Sequence, residues 1–335
     1  MLARMIVLAL ITVCTSASPG LAWDAYGHRL ITQLALEGLP PDSPAWLKDK
    51  DCIVQVMDQA TVPDRWRSTK VGQLTHLNNP DHYIDVEDLE PCGLSLRRLP
   101  PLRYEFVKQL VLARERAGAD FKGRPVNPAR DPDKTAEWPG FVPYSIAEQY
   151  GKVQSAFRTI RILETLDNPA RAQQLDMARQ NARYNMGILS HYVGDSAQPL
   201  HTTKHHHGWV GPNEKGYSTD GKIHSYIDGG VLKLHRIDAA GVRPLCKFNT
   251  RIDAGNPWED VLTYIERSFV QVEPLYELEK SGEMNKSPGK EFIETRLADA
   301  ASMLSALYRT AYETAKPTDK DIKDFERYDS FDATP

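Results

Sequence analysis

Two histidine–aspartate pairs at the same spacing are the most informative chemistry in the chain. The segment HYVGDSAQPLH, residues 191 to 201, places His191 and Asp195 four residues apart and adds His201 six positions later. The spacing returns in GKIHSYIDGG, where Asp228 follows His224 by four. Side chains four residues apart on a helix project from one face, so each pair can reach one ion. A single pair is often a helix cap or a surface pair, but two in a chain with ten histidines favour a metal site.

The ligand count indicates more than one ion. Zinc accepts imidazole and carboxylate ligands, about four per ion, and a catalytic zinc ion keeps one position open. His201, His224 and Asp228 supply three ligands for one ion, whereas His191 and Asp195 leave another ion short. The N-terminal third offers further candidates: Trp23 and His28 in WDAYGH, Asp64 in VPDRWR, and His82 in NPDHYID. Taken alone, each of them is equally well explained as a core, helix or turn residue. Together they complete the count.

The first 22 residues are typical of a secretory signal peptide. They carry one arginine, an apolar run from Met5 to Cys14 that is too short to span a bilayer, and the ending Gly-Leu-Ala. Val13 argues against lipoprotein processing at Cys14. Cleavage after residue 22 would make Trp23 the first residue, and its α-amino nitrogen and carbonyl oxygen can then chelate an ion. We expect an exported protein, secreted or periplasmic, with a metal-binding chain end.

Composition and periodicity predict a globular, all-α protein. The 335 residues are 41% apolar, and the formal net charge is −4, so bulk attraction of polyanions is excluded and a phosphate substrate would need local positive charge. Helical patterns cover 25–39, 101–118, 144–166, 171–195, 257–282 and 290–315. Long loops are expected at 119–142 and 196–222, and HYIDVE, residues 82–87, is the best strand candidate. We predict one domain over 23–316 and a polar, fraying tail over 317–335.

The cysteines leave the disulfide pattern open. An exported compartment permits disulfides, but Cys52, Cys92 and Cys246 are an odd number, and spacing does not reveal a pair.

The order of these motifs resembles a known family. WDAYGH after a signal peptide, then PDRWR, HYID, HYVGDSAQPLH and HSYID, spanning 23 to 228, are similar to the secreted zinc-dependent single-strand nucleases, relatives of bacterial zinc-dependent phospholipase C. The C-terminal helices match this family only in general character. The resemblance implies a mainly helical fold of the phospholipase C/nuclease type, with long loops around a trinuclear metal cleft.

The resemblance also implies roles for individual residues. Three zinc ions would be held by three sets of ligands: Asp64, His82 and His191; Trp23 and His28, with Asp195 bridging the first two ions; and His201, His224 and Asp228. Arg67 would contact phosphate, and Asp64 would orient the attacking water. The two close ions would lower the pKa of that water toward ~7 and align it with phosphorus. The third ion and Arg67 would stabilise the phosphorane and the departing oxygen.

One loop departs from the family pattern. Nuclease members usually have a Gly-Gly-Asn segment after QPLH, whereas this chain has TTKHHHGWVGPNEKGYSTDGK. Three interpretations of His205, His206 and His207 stay open: added metal affinity, a basic lip flanked by Trp209, or an exposed polar loop.

Three hypotheses for function follow. The leading one is an exported zinc phosphodiesterase that cleaves single-stranded DNA or RNA, with 3′-nucleotidase activity as an extension; its partners are nucleic acid or nucleotide, and no stable protein partner is inferred. The second keeps the metals but acts on phospholipid headgroups, which calls for an apolar rim. Asp228, rather than glutamate, as the last ligand fits the nuclease branch better. The third is a non-catalytic zinc-binding protein, against which the retention of Arg67 argues.

Overall fold

The computed structural model describes residues 23–121, 131 and 134–329. This part of the chain is mainly helical and contains no β-sheet, so the predicted all-α class is confirmed. Within it the α-helices are α1 (Ala25–Glu37), α2 (Ala45–Lys48), α3 (Lys50–Gln59), α4 (Val62–Arg67), α5 (Gly72–Asn78), α6 (Arg103–Ala117), α7 (Val142–Leu166), α8 (Ala172–Ala197), α9 (Ile223–Ser225), α10 (Val231–His235), α11 (Ala239–Val242), α12 (Pro257–Phe269), α13 (Val272–Lys280), α14 (Ser287–Thr314) and α15 (Asp319–Asp329). The predicted signal peptide lies outside the described residues.

Helix α8 is the central element of the core. It packs against α7, α3 and α14, and α14 also packs against α1 and α7. Two buried tyrosine hydroxyls donate to its backbone: Tyr308 to the Met186 carbonyl and Tyr264 to the Val193 carbonyl, both at 2.7 Å. The last thirteen residues of α8, from Asn185 onward, are all buried. Any polar side chain on this half of α8 therefore lies in the interior and needs a partner there.

The predicted strand at 82–87 is wrong. Residues Asn79–His82 form a 3₁₀ turn, and a second 3₁₀ helix runs over Val86–Cys92. Between them the Ile84 nitrogen donates to the His201 carbonyl at 2.9 Å, and Ile84 makes only an isolated bridge to Gly140. The alternating pattern reflects burial of this segment against the chain around His201, which brings two candidate histidines together.

The single helix predicted over 257–282 is also wrong, because it is two helices. Helix α12 ends at Phe269 and α13 begins at Val272. Pro274 has no N–H, and its ring would clash with the carbonyl of Val270 in a continuous helix, so the chain breaks one turn before it.

The polar C-terminal segment folds further than expected. Helix α15 occupies Asp319–Asp329, where fraying was predicted, and Asp321 accepts hydrogen bonds from the Thr318 backbone nitrogen at 2.8 Å and from its hydroxyl at 2.7 Å. The Arg171 guanidinium lies 5.7 Å from the Phe325 ring centroid and ties the helix to the body. A capped start and this contact offset the low hydrophobicity of the segment.

The other predicted boundaries move by a few residues. Helix α6 begins at Arg103, after an extended Leu102, so Pro101 lies outside its first turn. Pro199 does stop α8, which ends at Ala197, and a 3₁₀ turn over Pro199–His201 follows inside the predicted loop.

In the described part of the chain, Cys52, Cys92 and Cys246 are free thiols.

Among the described helices, none combines the length and apolar character needed to cross a membrane.

Candidate metal centre

Three groups of histidine and aspartate side chains meet in the interior, and each could hold a metal ion. Within each group the ligand atoms lie within 4.8 Å of one another. We call them cluster A (His28, Asp64 and His191), cluster B (His82, His191 and Asp195) and cluster C (His201, His224 and Asp228). Eight of the nine metal ligands expected from the sequence fall in these clusters. His191 belongs to both A and B, so the two are contiguous.

Asp195 of cluster B also contacts a histidine of cluster A. Its Oδ2 lies 2.9 Å from His82 Nδ1 and 3.4 Å from His191 Nε2. Its Oδ1 lies 3.3 Å from His28 Nε2. Asp195 and His28 are fully buried. The two oxygens thus face different histidines, which is the arrangement a carboxylate needs to bridge two ions.

Helix α4 adds a carboxylate and a cation to this centre. Asp64 Oδ1 lies 3.9 Å from His191 Nε2, and Arg67 Nη1 lies 3.6 Å from the same oxygen. Residues three apart on a helix share a face, so both project toward the clusters. Their side chains are only 12% and 16% exposed.

The start of the described chain lies between the clusters. The buried Trp23 indole donates to the Gly194 carbonyl at 3.0 Å, and the Asp24 nitrogen donates to the Asp228 carbonyl at 3.2 Å. Asp24 also caps α1, accepting from two backbone nitrogens of its first turn, which sets His28 at the centre. A Cβ at Gly194 would lie 2.9 Å from His28 Nδ1, so glycine is required where α8 meets this imidazole.

Cluster C forms where the chain after α8 meets α9. His201 Nδ1 donates to the His82 carbonyl at 2.7 Å, so its Nε2 faces His224 Nε2 at 2.9 Å. Asp228 Oδ2 lies 3.3 Å from the same His224 nitrogen. Asp228 sits in a π-helical turn, Tyr226–Gly230, an irregularity often found at functional sites.

Several buried ligand atoms of the clusters lack a hydrogen-bond partner that a bound cation could replace. Neither His28 nitrogen, nor Asp195 Oδ1, nor Asp228 Oδ2 makes a hydrogen bond within the described structure, although all are buried. Such atoms carry a desolvation cost that a bound ion would remove. The His191 Nδ1 instead donates to the Ala60 carbonyl at 2.8 Å, which leaves the Nε2 lone pair for a metal.

Burial also shifts the protonation of these groups in the direction that metal binding requires for histidine. It lowers the pKa of His191 and of His201 to about 3, so both imidazoles are neutral at pH 7. It raises the pKa of Asp195 and of Asp228 well above the usual carboxyl range. A bound cation would act on both carboxyl groups in the opposite direction and favour their charged form.

The histidine loop is neither fully exposed nor a fourth cluster. His205 is buried, stacks on Trp209 at a centroid distance of 3.9 Å, and accepts from the Val210 nitrogen at 3.0 Å. His206 Nδ1 faces the Thr203 carbonyl at 3.1 Å, and the His207 ring centroid lies 5.1 Å from that of His224. His205 therefore holds the loop in place, and His207 lies at the edge of cluster C.

Two supporting amides were missed at the sequence level. Gln198 Nε2 donates to Asp228 Oδ1 at 2.7 Å, and Asn78 contacts His82 Nε2 at 3.0 Å. Gln198 stands inside the quoted motif HYVGDSAQPLH, so its position was a usable signal. Asn78, four residues before His82, gave none.

Comparison with models of known protein families and with curated proteins finds no match to this chain. The geometry and chemistry of the three clusters are therefore the basis for a functional assignment.

Proposed function

We propose that the protein is an exported zinc-dependent phosphodiesterase that hydrolyses single-stranded DNA or RNA, and that it belongs to the trinuclear zinc nucleases that its motifs resemble. In this proposal the adjoining clusters A and B together hold two zinc ions, and His191 binds one of them through its Nε2. Cluster C holds the third ion, and the mature chain begins at Trp23. Bound zinc would neutralise phosphate oxygens and lower the pKa of water.

The observation that carries the proposal is the placement of Arg67. Its Nη1 is buried and makes no hydrogen bond within the described residues. Its charge acts on ligands of all three clusters, lowering the pKa of His191, His82 and His201 after the larger effect of burial. A guanidinium so placed disfavours protonated histidine. Within the described residues its Nη1 lacks a hydrogen-bond partner, because Asp64 Oδ1 at 3.6 Å is only an ion-pair contact. A phosphate oxygen would supply that partner.

In this proposal Asp64 and Arg67 have different roles: Arg67 binds phosphate and Asp64 binds the attacking water. Arg67 can donate to a phosphate oxygen and stabilise the charge that builds up there in the transition state. Asp64 Oδ1, buried and without a hydrogen-bond donor, can accept a proton from the attacking water and orient it. The carboxylate and the guanidinium are 3.6 Å apart, so one phosphate group can lie within reach of both.

The test is a side-by-side assay of the zinc-loaded protein on single-stranded DNA, RNA and short-chain phosphatidylcholine. We expect hydrolysis of both nucleic acids, loss of activity with a chelator, and recovery with zinc. A matched substrate pair, single-stranded and duplex DNA of one sequence, tests strand preference. Hydrolysis of the lipid alone would overturn the proposal.

One observation favours the phospholipid alternative. A cavity of about 890 Å³ is lined in part by Asn78 and Tyr192, and three further lining residues, Leu77, Leu102 and Tyr104, are 61%, 66% and 86% exposed. Such an apolar rim suits a lipid surface. The same cavity is lined by five charged side chains, which an acyl chain would have to desolvate: Asp81, Arg103, Glu105, Glu148 and Lys152. The nucleic acid assignment therefore remains our proposal.

A further inference from the structure

A single buried carboxamide joins three of the four elements that carry ligands of clusters A and B. Asn78, the last residue of α5, is 2% exposed. Its Nδ2 donates to the Pro63 carbonyl at 2.9 Å and lies 3.0 Å from His82 Nε2. Its Oδ1 accepts from the Tyr192 hydroxyl at 3.0 Å. Asn78 thus contacts one candidate ligand directly and the chain neighbours of two others, Asp64 and His191.

The hydrogen-bond partners fix the orientation of this amide. A backbone carbonyl can only accept, so the NH₂ end of Asn78 must face Pro63. The Tyr192 hydroxyl can donate, which suits the oxygen end. The second N–H of the same NH₂ group then points to His82 Nε2, which must act as an acceptor.

This orientation decides where His82 carries its proton. A neutral imidazole has one N–H, so an accepting Nε2 places the proton on Nδ1. His82 Nδ1 lies 2.9 Å from Asp195 Oδ2 and 3.0 Å from His191 Nε2. His191 Nε2 is itself an acceptor, because its Nδ1 donates to the Ala60 carbonyl. The His82 proton therefore points into the middle of cluster B, where a metal ion needs a lone pair.

We propose that Asn78 is a positioning residue that sets the tautomer of His82 and so controls metal loading of cluster B. In the metal-free protein its NH₂ group donates to His82 Nε2. On metal binding the His82 proton moves from Nδ1 to Nε2 by exchange with water, with no net change in proton number. The Asn78 amide rotates by half a turn so that Oδ1 accepts from Nε2–H. Its NH₂ group then donates to the Tyr192 oxygen, and the Pro63 carbonyl loses its donor.

This inference rests on the metal-binding part of the proposed function and is independent of the substrate. Its first test uses the wild-type protein with ¹⁵N-labelled histidine, titrated with zinc alone. The long-range proton–nitrogen pattern of His82, assigned by its loss in His82→Gln, should show Nδ1–H without metal and Nε2–H with it. Nε2–H in the metal-free protein would overturn the proposal.

The second test separates this role from simple structural support. A carboxylate at position 78 can only accept, so Asn78→Asp should favour the metal-ready Nε2–H tautomer of His82. We expect His82 to respond at a zinc concentration about 10-fold or more below that of wild type, the scale of effects that outer residues have on metal affinity. The metal-free variant should nevertheless melt at a lower temperature, because an added carboxylate faces the Pro63 carbonyl.

The two readouts move in opposite directions only if Asn78 acts through the tautomer. A purely structural role predicts that Asn78→Asp weakens both stability and zinc binding, and that result would refute the inference. The matched control is Asn185→Asp, a nearly buried asparagine on α8 that bonds only to Asn181 in the described structure. It should leave zinc binding at His82 unchanged. A wild-type protein that binds no zinc would overturn the metal centre itself, while the metal-free spectrum would still report on the Asn78–His82 bond.

Discussion

Gln198 holds Asp228 in place through its side-chain amide. Its Nε2 donates to Asp228 Oδ1 at 2.7 Å, and its Oε1 accepts from the Leu200 backbone nitrogen at 2.6 Å. The same side chain therefore starts the 3₁₀ turn that carries His201 and orients the carboxylate of cluster C. Glutamine is suited to both tasks because it has a donor and an acceptor at opposite corners of one plane.

The first prediction is that Gln198→Leu weakens metal binding at cluster C. Leucine has a similar size but offers no hydrogen bond, so Asp228 and the turn at Pro199 lose their restraint. Zinc affinity at this cluster should fall by about 10–100-fold. Competition with a chromophoric chelator measures the affinity. The control is Gln154→Leu on α7, whose amide donates to Thr314 at 2.8 Å, away from the clusters. Equal affinity in the two variants would show that Gln198 only caps the turn.

The sequence predicted the local part of the site well. The i, i+4 spacing of His191 and Asp195 on α8 and the turn at Pro199 depend on neighbours in the chain, and the structure contains both. Contacts such as His28 with Asp195 join residues far apart in sequence. Periodicity cannot place these, so the grouping of the N-terminal candidates rested on the family resemblance.

The wrong helix over 257–282 and the wrong strand over 82–87 each have a cause in the local sequence. Pro274 interrupts an otherwise regular apolar pattern, and a pattern that is scored over a long window hides one such residue. HYIDVE alternates like a strand because it is buried on one side by the chain near His201. Asn78 stands four residues before His82, but its other two partners, Pro63 and Tyr192, are 15 and 114 residues away. The support of His82 by this amide was therefore invisible in the sequence.

The second prediction concerns Arg67. Arg67→Ala should keep its full zinc content and lose turnover by roughly two or more orders of magnitude, because a preorganised charge for the transition state is removed. Lysine should rescue only in part, since it lacks the planar fork. The matched control is Arg65→Ala on the same helix, whose 55% exposed guanidinium pairs with Asp58 at 2.8 Å. If both alanine variants turn over normally, Arg67 has no part in the reaction.

The third prediction is that Asp195→Asn loses metal without losing the fold. Burial raises the pKa of Asp195 well above its usual range, which favours the neutral form of the metal-free carboxyl, and an amide has the same shape as that form. An amide is a weak ligand, so at least one zinc ion and nearly all activity should disappear. Metal analysis and thermal melting with and without zinc measure both effects.

His235→Ala is the control for this variant. His235 lies outside the three clusters and its Nε2 donates to the Met284 carbonyl at 2.9 Å. Its loss should cost about 1 kcal/mol of stability and leave the zinc content unchanged. Full zinc content and near-normal turnover in Asp195→Asn would remove Asp195 from the site.

The fourth prediction is a pH dependence of stability from His205. Burial lowers the pKa of His205 to about 4, with Lys204 adding to the effect. The unfolded chain has a histidine pKa of about 6.5, so between pH 4 and 6.5 it binds a proton that the folded state does not. The free energy of unfolding therefore falls as the pH drops through this window, by roughly 1.4 kcal/mol for each unit of pKa difference fully crossed.

His205→Phe isolates this contribution. Phenylalanine keeps the stack on Trp209 but does not titrate, and it loses the bond from the Val210 nitrogen. Wild type should be more stable near pH 6.5, and its advantage should shrink toward pH 4.5 in urea titrations of the zinc-free proteins. A constant difference between wild type and His205→Phe at every pH would contradict the prediction.

The fifth prediction concerns the chain end, where Trp23 is buried and its indole is bonded to the residue before Asp195. In a chain that begins at Trp23, the α-amino nitrogen can be a neutral ligand, whereas a preceding Gly-Ser turns it into an amide, which is not. The extended chain should therefore lose the ion shared by His28 and Asp195, keep the ion in cluster C, and turn over poorly. Zinc stoichiometry and rates of the two chains measure this. Trp23→Phe at the mature end keeps the amine and removes only the indole bond, so it should retain all its zinc. Equal zinc and equal rates with and without Gly-Ser would mean that Trp23 only packs, and that clusters A and B draw a ligand from elsewhere.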